Sequence, residues 1–339
     1  MHRRSGIAMA GRMTRFSVLD LVPVSVGQTT GAALAAAAQY AAHAERVGCH
    51  RYWVAEHHGM AGVAGAATSV VLAHVGHHTH SIRIGAGGIM LPNHSPLLIA
   101  EQFGTLDALF PGRIDLGLGR APGADMRFVR ALDKDVQSAA AYFPQHVAQL
   151  RAHFTGEPDP GFAAFPGRGA AVEMWILGSS LFGAQLAAML GLPYAFASHF
   201  APDHLDEAIA VYRQRFQPSA VLEQPYVAAA FNAFAADTAD EAALLASSME
   251  QAFVALRTGT PGKLPPPVPG FRASLPPPAR AMLDHVLQAS AIGTVDHVRE
   301  RLAAFIARTG ADEIIFAGSM HDPAARLRSL TLTMAAATS

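Results

Sequence analysis

Cysteine and charged residues are both scarce in this chain. Its 339 residues include one cysteine, Cys49, so an intramolecular disulfide cannot form and a reducing compartment is expected. Charged residues make up 15% of the sequence, and the formal net charge is -1. Proteins that bind nucleic acids usually carry a basic surface, so this balance argues against a nucleic-acid partner.

Long apolar runs are also missing. No window approaches the roughly 18 uninterrupted apolar residues of a membrane-spanning helix, and Gln39 and Tyr40 interrupt the alanine-rich stretch at 32–42. The first dozen residues contain three arginines but no apolar segment of the kind found in secretory signals. We therefore expect a cytoplasmic protein with no membrane partner, in which residues 1–15 form a flexible N-terminal tail.

Apolar residues are abundant and fall into short strand-like runs separated by helical segments. They make up 51% of the chain, and the runs are too apolar to leave a strand face in solvent. Eight such strands alternating with helices predict a (β/α)8 TIM barrel, as one α/β domain over residues 16–339. A doubly wound sheet is the alternative. The predicted strands lie at 16–22, 52–58, 82–91, 113–118, 172–177, 194–197, 226–235 and 312–317.

One compositional break interrupts this pattern before the last strand. Residues 261–278 contain two triple-proline runs around a short segment with Gly, Phe and Arg. The segment is predicted to be a structureless insertion, either a surface excursion or a semi-rigid lid hinged near Gly259 and Gly262. Because loops at the active end of barrels often close on ligand, the lid is the favoured interpretation.

Polar residues and glycines follow several of the predicted strands, at the end of a barrel where active sites lie. His57 can move protons, Arg120 and a serine-rich helix start can hold phosphate, and glycines let a flat ligand touch the backbone. The residues selected by this rule are Asp20, Glu56, His57, His58, Gly87, Gly88, Ile89, Met90, Gly119, Arg120, Gly178, Ser179, Ser180, Ser198 and His199.

Each of these patterns also has an ordinary structural explanation. His57 is alternatively a buried histidine bonded to Glu56 or to a carbonyl, and the serines at 179–180 are alternatively a helix N-cap. Residues 117–122 begin like a dinucleotide fingerprint but lack its third glycine. The histidines at 74, 77 and 78 have metal-ligand spacing, yet they fit a solvated helix end, and the histidines at 57–58 lack zinc-protease spacing. No metal site is predicted.

Four motifs give the chain a resemblance to the bacterial luciferase-like flavin monooxygenase family, over residues 16 to about 330. They are Trp-Val-Ala-Glu-His-His at 53–58, Gly-Gly-Ile-Met-Leu-Pro at 87–92, Pro-Gly-Arg-Ile-Asp-Leu-Gly-Leu-Gly-Arg at 111–120, and Gly-Leu-Pro at 191–193. The resemblance implies that reduced FMN binds in the barrel mouth, reacts with dioxygen and oxygenates a small-molecule substrate. It also implies a transient flavin reductase partner that supplies the reduced FMN, and a homodimer.

The resemblance also assigns roles to residues of this chain. It makes His57 and Glu56 catalytic, and it places a cis peptide at Gly87–Gly88 beneath the flavin ring, with Met90 also binding the cofactor. Arg120, Gly178, Ser179 and Ser180 are expected to hold the phosphate. Gly119 replaces a reactive cysteine of the family and Gly183 replaces a phosphate-binding hydroxyl, so light emission is not implied. The rival functions are hydride transfer with a deazaflavin, and flavin binding without turnover.

Overall fold

The molecule is built around a closed parallel β-barrel. A computed structural model describes residues 13–121, 128, 131–132, 136–159 and 161–339. The strands are β1 (Arg15–Asp20), β2 (Arg51–Val54), β3 (Arg83–Met90), β4 (Ile114–Gly119), β5 (Glu173–Gly178), β6 (Tyr194–Phe196), β7 (Val227–Ala235), β8 (Ser290–Gly293) and β9 (Glu313–Ala317). Every strand pairing is parallel.

Helices connect the strands and surround the barrel. They are α1 (Thr30–Arg46), α2 (Thr68–Gly76), α3 (Pro96–Leu109), α4 (Val136–Ala141), α5 (Phe143–Thr155), α6 (Leu181–Leu190), α7 (Leu205–Arg215), α8 (Ala239–Arg257), α9 (Phe271–Ser274), α10 (Pro277–Val286), α11 (Val295–Thr309) and α12 (Pro323–Ala337), with a 3-10 turn at Leu91–Asn93. In the described part of the chain, no helix has both the length and the apolar character needed to cross a membrane.

The barrel closes through β1 and β9, so the predicted TIM-barrel fold is confirmed. Strands β1 to β7 are neighbours in chain order, β7 pairs with β9, and β9 pairs with β1. Strand β8 was not predicted: it adds to the carboxyl half of β7, where Asn232 pairs with Ser290. It has only four residues, and its Ser-Ala-Ile-Gly sequence carries no recognisable strand pattern.

Some element boundaries differ from the prediction. Strand β1 begins at Arg15, which pairs with Glu313, one residue before the predicted start; residues 1–12 of the predicted tail lie outside the described part of the chain. Strand β2 ends at Val54, four residues before the predicted end. Glu56 therefore lies in the loop that follows the strand and not within the strand itself.

The lower half of the barrel interior is filled. Apolar and aromatic side chains from six strands meet there, including Leu19, Trp53, Trp175 and Ile315, and residues on different sides of a closed barrel can meet only inside it. Arg51 lies two positions before Trp53 on β2, so its side chain points to the same face of the strand as Trp53. Its buried guanidinium forms ion pairs in the layer below, with buried Asp115 (3.0 Å) and Glu313 (3.2 Å) and with partly exposed Glu173 (2.9 Å).

The proline-rich insertion is attached to its surroundings and is not structureless. The backbone of Leu264 exchanges hydrogen bonds with Val24 and Val26 in the loop after β1, and its side chain is buried. Farther along, Arg272 forms a 2.5 Å ion pair with Glu250 of α8. The segment contains α9 and the start of α10, because Pro277 is well suited to the first turn of a helix.

Candidate functional site

Most of the predicted site residues lie at the carboxyl ends of four neighbouring strands. The sheet order places β2, β3, β4 and β5 side by side. His57 follows β2, Gly87 and Gly88 lie in β3, Arg120 follows β4, and Gly178 ends β5. Because parallel strands of a barrel end at one face, these residues form one side of a single mouth.

The strand end at Gly87–Gly88 has the predicted cis peptide bond. The backbone N–H of Glu56 donates to the carbonyl of Gly88 at 3.3 Å, which ties the loop after β2 to this bond. A Cβ atom on Gly87 would lie 2.8 Å from the Trp53 ring and 2.9 Å from Leu19. A larger residue at position 87 would therefore collide with the filled barrel interior, and glycine leaves bare backbone at the mouth.

Arg120 and the start of α6 come together next to this strand end. The Arg120 guanidinium lies 4.1 Å above the ring of Phe182, the second residue of α6. Ser180 is the N-cap residue of α6, but its side chain makes no capping hydrogen bond. The first N–H groups of a helix and an adjacent guanidinium form an anion-binding arrangement. The N-cap explanation of the serines therefore accounts for the position of Ser180, but its hydroxyl does not make the hydrogen bond that an N-cap side chain would make.

Met90 extends from β3 towards β4. A Cβ atom on Gly119 would lie 2.9 Å from the Met90 sulfur, so the thioether occupies the space that a larger residue at position 119 would need. The Met90 N–H donates to Glu56 Oε2 at 3.0 Å. Met90 thus forms part of the wall between the strand end of β3 and Arg120.

His57 is held at the mouth without a hydrogen-bond partner for its ring among the described residues. Its Nδ1 atom is buried and unpaired. Burial lowers the pKa of His57, while the nearby carboxylate of Glu56 opposes that effect. The alternative of a histidine bonded to Glu56 is wrong, and the ring presents a neutral donor and acceptor to the mouth.

Glu56 instead joins two other histidines, one of which the sequence analysis missed. Its Oε1 accepts hydrogen bonds from His58 Nε2 at 2.6 Å and from His94 Nε2 at 2.8 Å. Burial raises the pKa of Glu56, but the bonds from His94, His58 and the Met90 N–H outweigh it and leave the pKa below its ordinary value. His94 directly precedes the predicted helix start at Ser95–Pro96, and its sequence position gave no sign of this contact.

His199, at the carboxyl end of β6, is a further histidine near this mouth. Its carbonyl accepts a hydrogen bond from Asn232 Nδ2 at 2.7 Å, and its Nδ1 is buried and unpaired among the described residues. Burial lowers the pKa of His199 to about 3, and the neighbouring His57 contributes in the same direction. The strand-end rule selected this residue, but no role was predicted for it.

Asp20 was selected by the same rule, but its side chain has a structural role. Its carboxylate is fully buried, where it accepts hydrogen bonds from Tyr52 Oη (2.5 Å), Arg326 Nη2 (2.9 Å) and the Val22 N–H (2.7 Å). The Arg326 guanidinium in turn lies 3.8 Å from the centre of the Tyr40 ring. Arg326 belongs to α12 and Tyr40 to α1, so the Asp20 carboxylate faces the helical layer and not the mouth.

The chain is similar in sequence over almost its full length to known oxygenases. A luciferase-like monooxygenase of Escherichia coli (strain K12) is 47% identical over 96% of this chain and 98% of its own. The N-acetyl-S-alkylcysteine monooxygenase of Bacillus subtilis (strain 168) is 34% identical over 73% of this chain and 75% of its own. The crystal structure of apo-MsnO8 superimposes with a TM-score of 0.88 at 33% identity, over 95% of this chain and 98% of its own.

The family signature covers the barrel and the mouth described above. The sequence model of the luciferase-like monooxygenases matches residues 13–313, which include the strand ends that carry His57, Gly87–Gly88, Arg120 and Ser179–Ser180. The resemblance noted from four motifs is therefore confirmed. The chain belongs to the luciferase-like monooxygenase family, and it is an enzyme of the flavin-dependent monooxygenase class.

Proposed function

We propose that this enzyme binds reduced FMN in the barrel mouth and uses dioxygen to oxygenate a small organic substrate. The observation that carries the proposal is the placement of Arg120 over Phe182 at the start of α6, beside Ser179 and Ser180. A flavin that carries a terminal phosphate fits this arrangement, because the phosphate would meet one guanidinium, two hydroxyls and the positive end of a helix dipole.

The other residues of the mouth fit the flat part of such a cofactor. The backbone at Gly87–Gly88 has no side chain to block a ring, and Leu19, Trp53 and Leu177 give the space beneath it an apolar lining. When bound, reduced FMN supplies the electrons that activate dioxygen. An apolar lining keeps water from the reacting atoms. A neutral His57 would enter the reaction uncharged, and it could donate a hydrogen bond there or accept a proton to become imidazolium.

The first prediction tests the phosphate contact. Arg120→Ala should weaken FMN binding at least about tenfold, since a charge-assisted hydrogen bond contributes roughly 1.5 to 3 kcal/mol. Riboflavin, which has no phosphate, should bind both proteins alike. The measurement is flavin fluorescence quenching, and Arg257→Ala, an exposed arginine at the end of α8, is the matched control. Equal losses for FMN and riboflavin would contradict the assignment.

Two rival functions remain as outcomes of further measurements. If the purified protein retains a deazaflavin and transfers hydride without oxygen, the FMN proposal fails. If FMN binds but a single-turnover reaction with oxygen yields no product from any aldehyde, alkane or sulfur compound, the protein only binds flavin. The thioether-containing substrate named for the B. subtilis relative makes sulfur compounds the first class to screen. The separate flavin reductase, the homodimer and the cytoplasmic location stay predictions.

A further inference from the structure

We propose that Glu56, His58 and His94 form a binding site for a divalent transition-metal ion of the zinc class. The three ligand atoms, Glu56 Oε1, His58 Nε2 and His94 Nε2, all lie within 4.8 Å of one another. They come from two loops, one after β2 and one after β3, that meet beside the mouth. The proposed flavin chemistry requires no metal here, so the inference goes beyond the proposed function and against the prediction of no metal site.

The charge balance of the cluster is the first argument. The Glu56 side chain is 1% exposed, and no lysine or arginine forms an ion pair with it in the described part of the chain. A buried carboxylate is costly unless a positive charge compensates it. Among the described residues, the groups at its Oε1 that can supply that charge are the imidazoles of His58 and His94, through protonation or through a metal ion that they share with the carboxylate.

The second argument is the chemistry of the donor set. Two imidazole nitrogens and one carboxylate oxygen suit zinc and its first-row neighbours, and three protein ligands leave a fourth position open. That position can face solvent, because the side chains of His58 and His94 are 15% and 29% exposed. The other carboxylate oxygen, Oε2, already accepts from the Met90 N–H at 3.0 Å, and such support orients a metal-binding carboxylate.

The distances between the Glu56 oxygen and the two histidine nitrogens show how far these ligands must move to bind a metal ion. The two N···O separations, 2.6 Å and 2.8 Å, are hydrogen-bond lengths, whereas ligands on one tetrahedral zinc ion lie roughly 3.3 Å apart. The ion must therefore replace two N–H donors, and the histidines must move outwards by about half an ångström. The stacking of His58 on Phe128, with ring centroids 4.2 Å apart, guides this movement along the ring plane.

The test is a calorimetric titration of the full-length, flavin-free protein with zinc chloride at neutral pH. We expect one site in the wild type that weakens at least about tenfold in His94→Gln and in His58→Gln. The matched control is His74→Gln/His78→Gln, which removes an exposed pair of imidazoles whose rings lie 4.7 Å apart at the C-terminal end of α2. The site must persist in this double variant. Wild-type affinity in both single variants would overturn the proposal.

A second measurement uses only the wild-type protein, so its result does not depend on whether the variants fold. X-ray absorption at the zinc edge of the wild-type complex should show nitrogen and oxygen ligands with two imidazoles, and a spectrum without two imidazoles would overturn the site. Unchanged melting temperatures and FMN affinities of the metal-free variants show that they fold. Because zinc binding is measured without flavin, its failure leaves the FMN proposal untouched, and failure of FMN binding leaves the metal site untouched.

Discussion

His57 is the residue on which the proposed chemistry depends most directly. His57→Ala should lower turnover of a substrate found in the screen by about a hundredfold or more, which is typical for loss of a proton-transfer group. FMN affinity should change little, because the ring does not contact the proposed phosphate site. The measurements are the steady-state rate and FMN fluorescence titration, and His80→Ala, on the exposed turn before β3, is the control.

The structural alternative for His57 makes the opposite prediction. The ring makes no hydrogen bond within the described residues, so its removal should cost little polar stabilisation. If the variant melts early while its folded fraction turns over normally, His57 is a packing residue and the catalytic assignment is lost.

Glu45 gives a pH-dependent prediction away from the site. Its carboxylate accepts from the N–H groups of His80, Ser81 and Ile82, which joins the end of α1 to the start of β3. Burial acts to raise its pKa, but these hydrogen bonds dominate and lower the pKa of Glu45 to about 2. The folded state therefore binds this proton less readily than the unfolded chain.

The sign of the effect follows from that difference. The stabilisation is complete above the unfolded pKa of about 4.3 and is lost as the pH falls through about 2. Glu45→Gln should lower the free energy of unfolding by roughly 1 kcal/mol at neutral pH, a modest value because the carboxylate is partly exposed and solvent screens it. Chemical denaturation should show that the difference in free energy of unfolding between wild type and variant shrinks as the pH falls from about 4.3 to about 2. Glu101→Gln, on α3, is the control; a pH-independent difference would contradict the account.

The sequence identified the types of residue at the mouth but not all their contacts. Strand-end position and motif were sufficient to predict that His57, Arg120 and Ser180 lie at the mouth. A parallel barrel brings the carboxyl ends of all its strands to one face. The partners of Glu56 could not be predicted, since His94 reaches it from a 3-10 turn whose path depends on the packing of α3. Asp20 was misassigned because a strand-end side chain can point to either layer.

At the scale of elements, the proline-rich insertion is the segment whose behaviour the fold leaves open. Two hydrogen bonds, from Gln251 Nε2 to the Pro266 carbonyl and from the Val268 N–H to Ser247 Oγ, join it to α8. Its charged tie to α8 is the ion pair between Arg272 and Glu250, whose side chain is 5% exposed. Glu250→Ala should speed trypsin cleavage at Lys263 and Arg280 several-fold, because loss of a buried partner releases the segment. Asp284→Ala is the control: Asp284 is a second, exposed partner of Arg272 at 3.4 Å, and exposed pairs contribute little.

The lid hypothesis needs a further comparison on the wild-type protein. If the segment covers bound cofactor, reduced FMN with a substrate analogue should slow cleavage in residues 261–280. Identical cleavage rates, together with intact turnover after deletion of the loop, would show that the insertion is a surface excursion. Its bonds to the loop after β1 fix where it lies but do not decide between these outcomes.

The eight barrel strands were predictable because each is an apolar run bounded by loops, whereas β8 was not. Four residues of mixed character have no intrinsic strand preference, and β8 exists because the carboxyl half of β7 extends beyond β6 and offers free backbone groups. Its position is thus a consequence of the assembled barrel. Local sequence patterns cannot contain that information.

At the scale of the whole molecule, the homodimer stays a prediction. The alanine-rich part of α1 suggested a surface for close approach, but Ala33, Ala37, Ala38 and Ala41 are buried within the chain itself. The dimer now rests on family resemblance alone. Light scattering at micromolar concentration should give twice the mass of the chain, and a monomer under those conditions would contradict it.

The filled lower half of the barrel interior also has a consequence for how molecules reach and leave the mouth. In the part of the chain that the structure describes, Trp53, Trp175 and the ion pairs of Arg51 fill the barrel below the mouth, so a molecule bound at the mouth would not pass along the barrel axis to the opposite end. If reduced FMN binds at the mouth as proposed, flavin and product would share this end of the barrel. Product retained at the mouth would then compete with the next reduced flavin for entry.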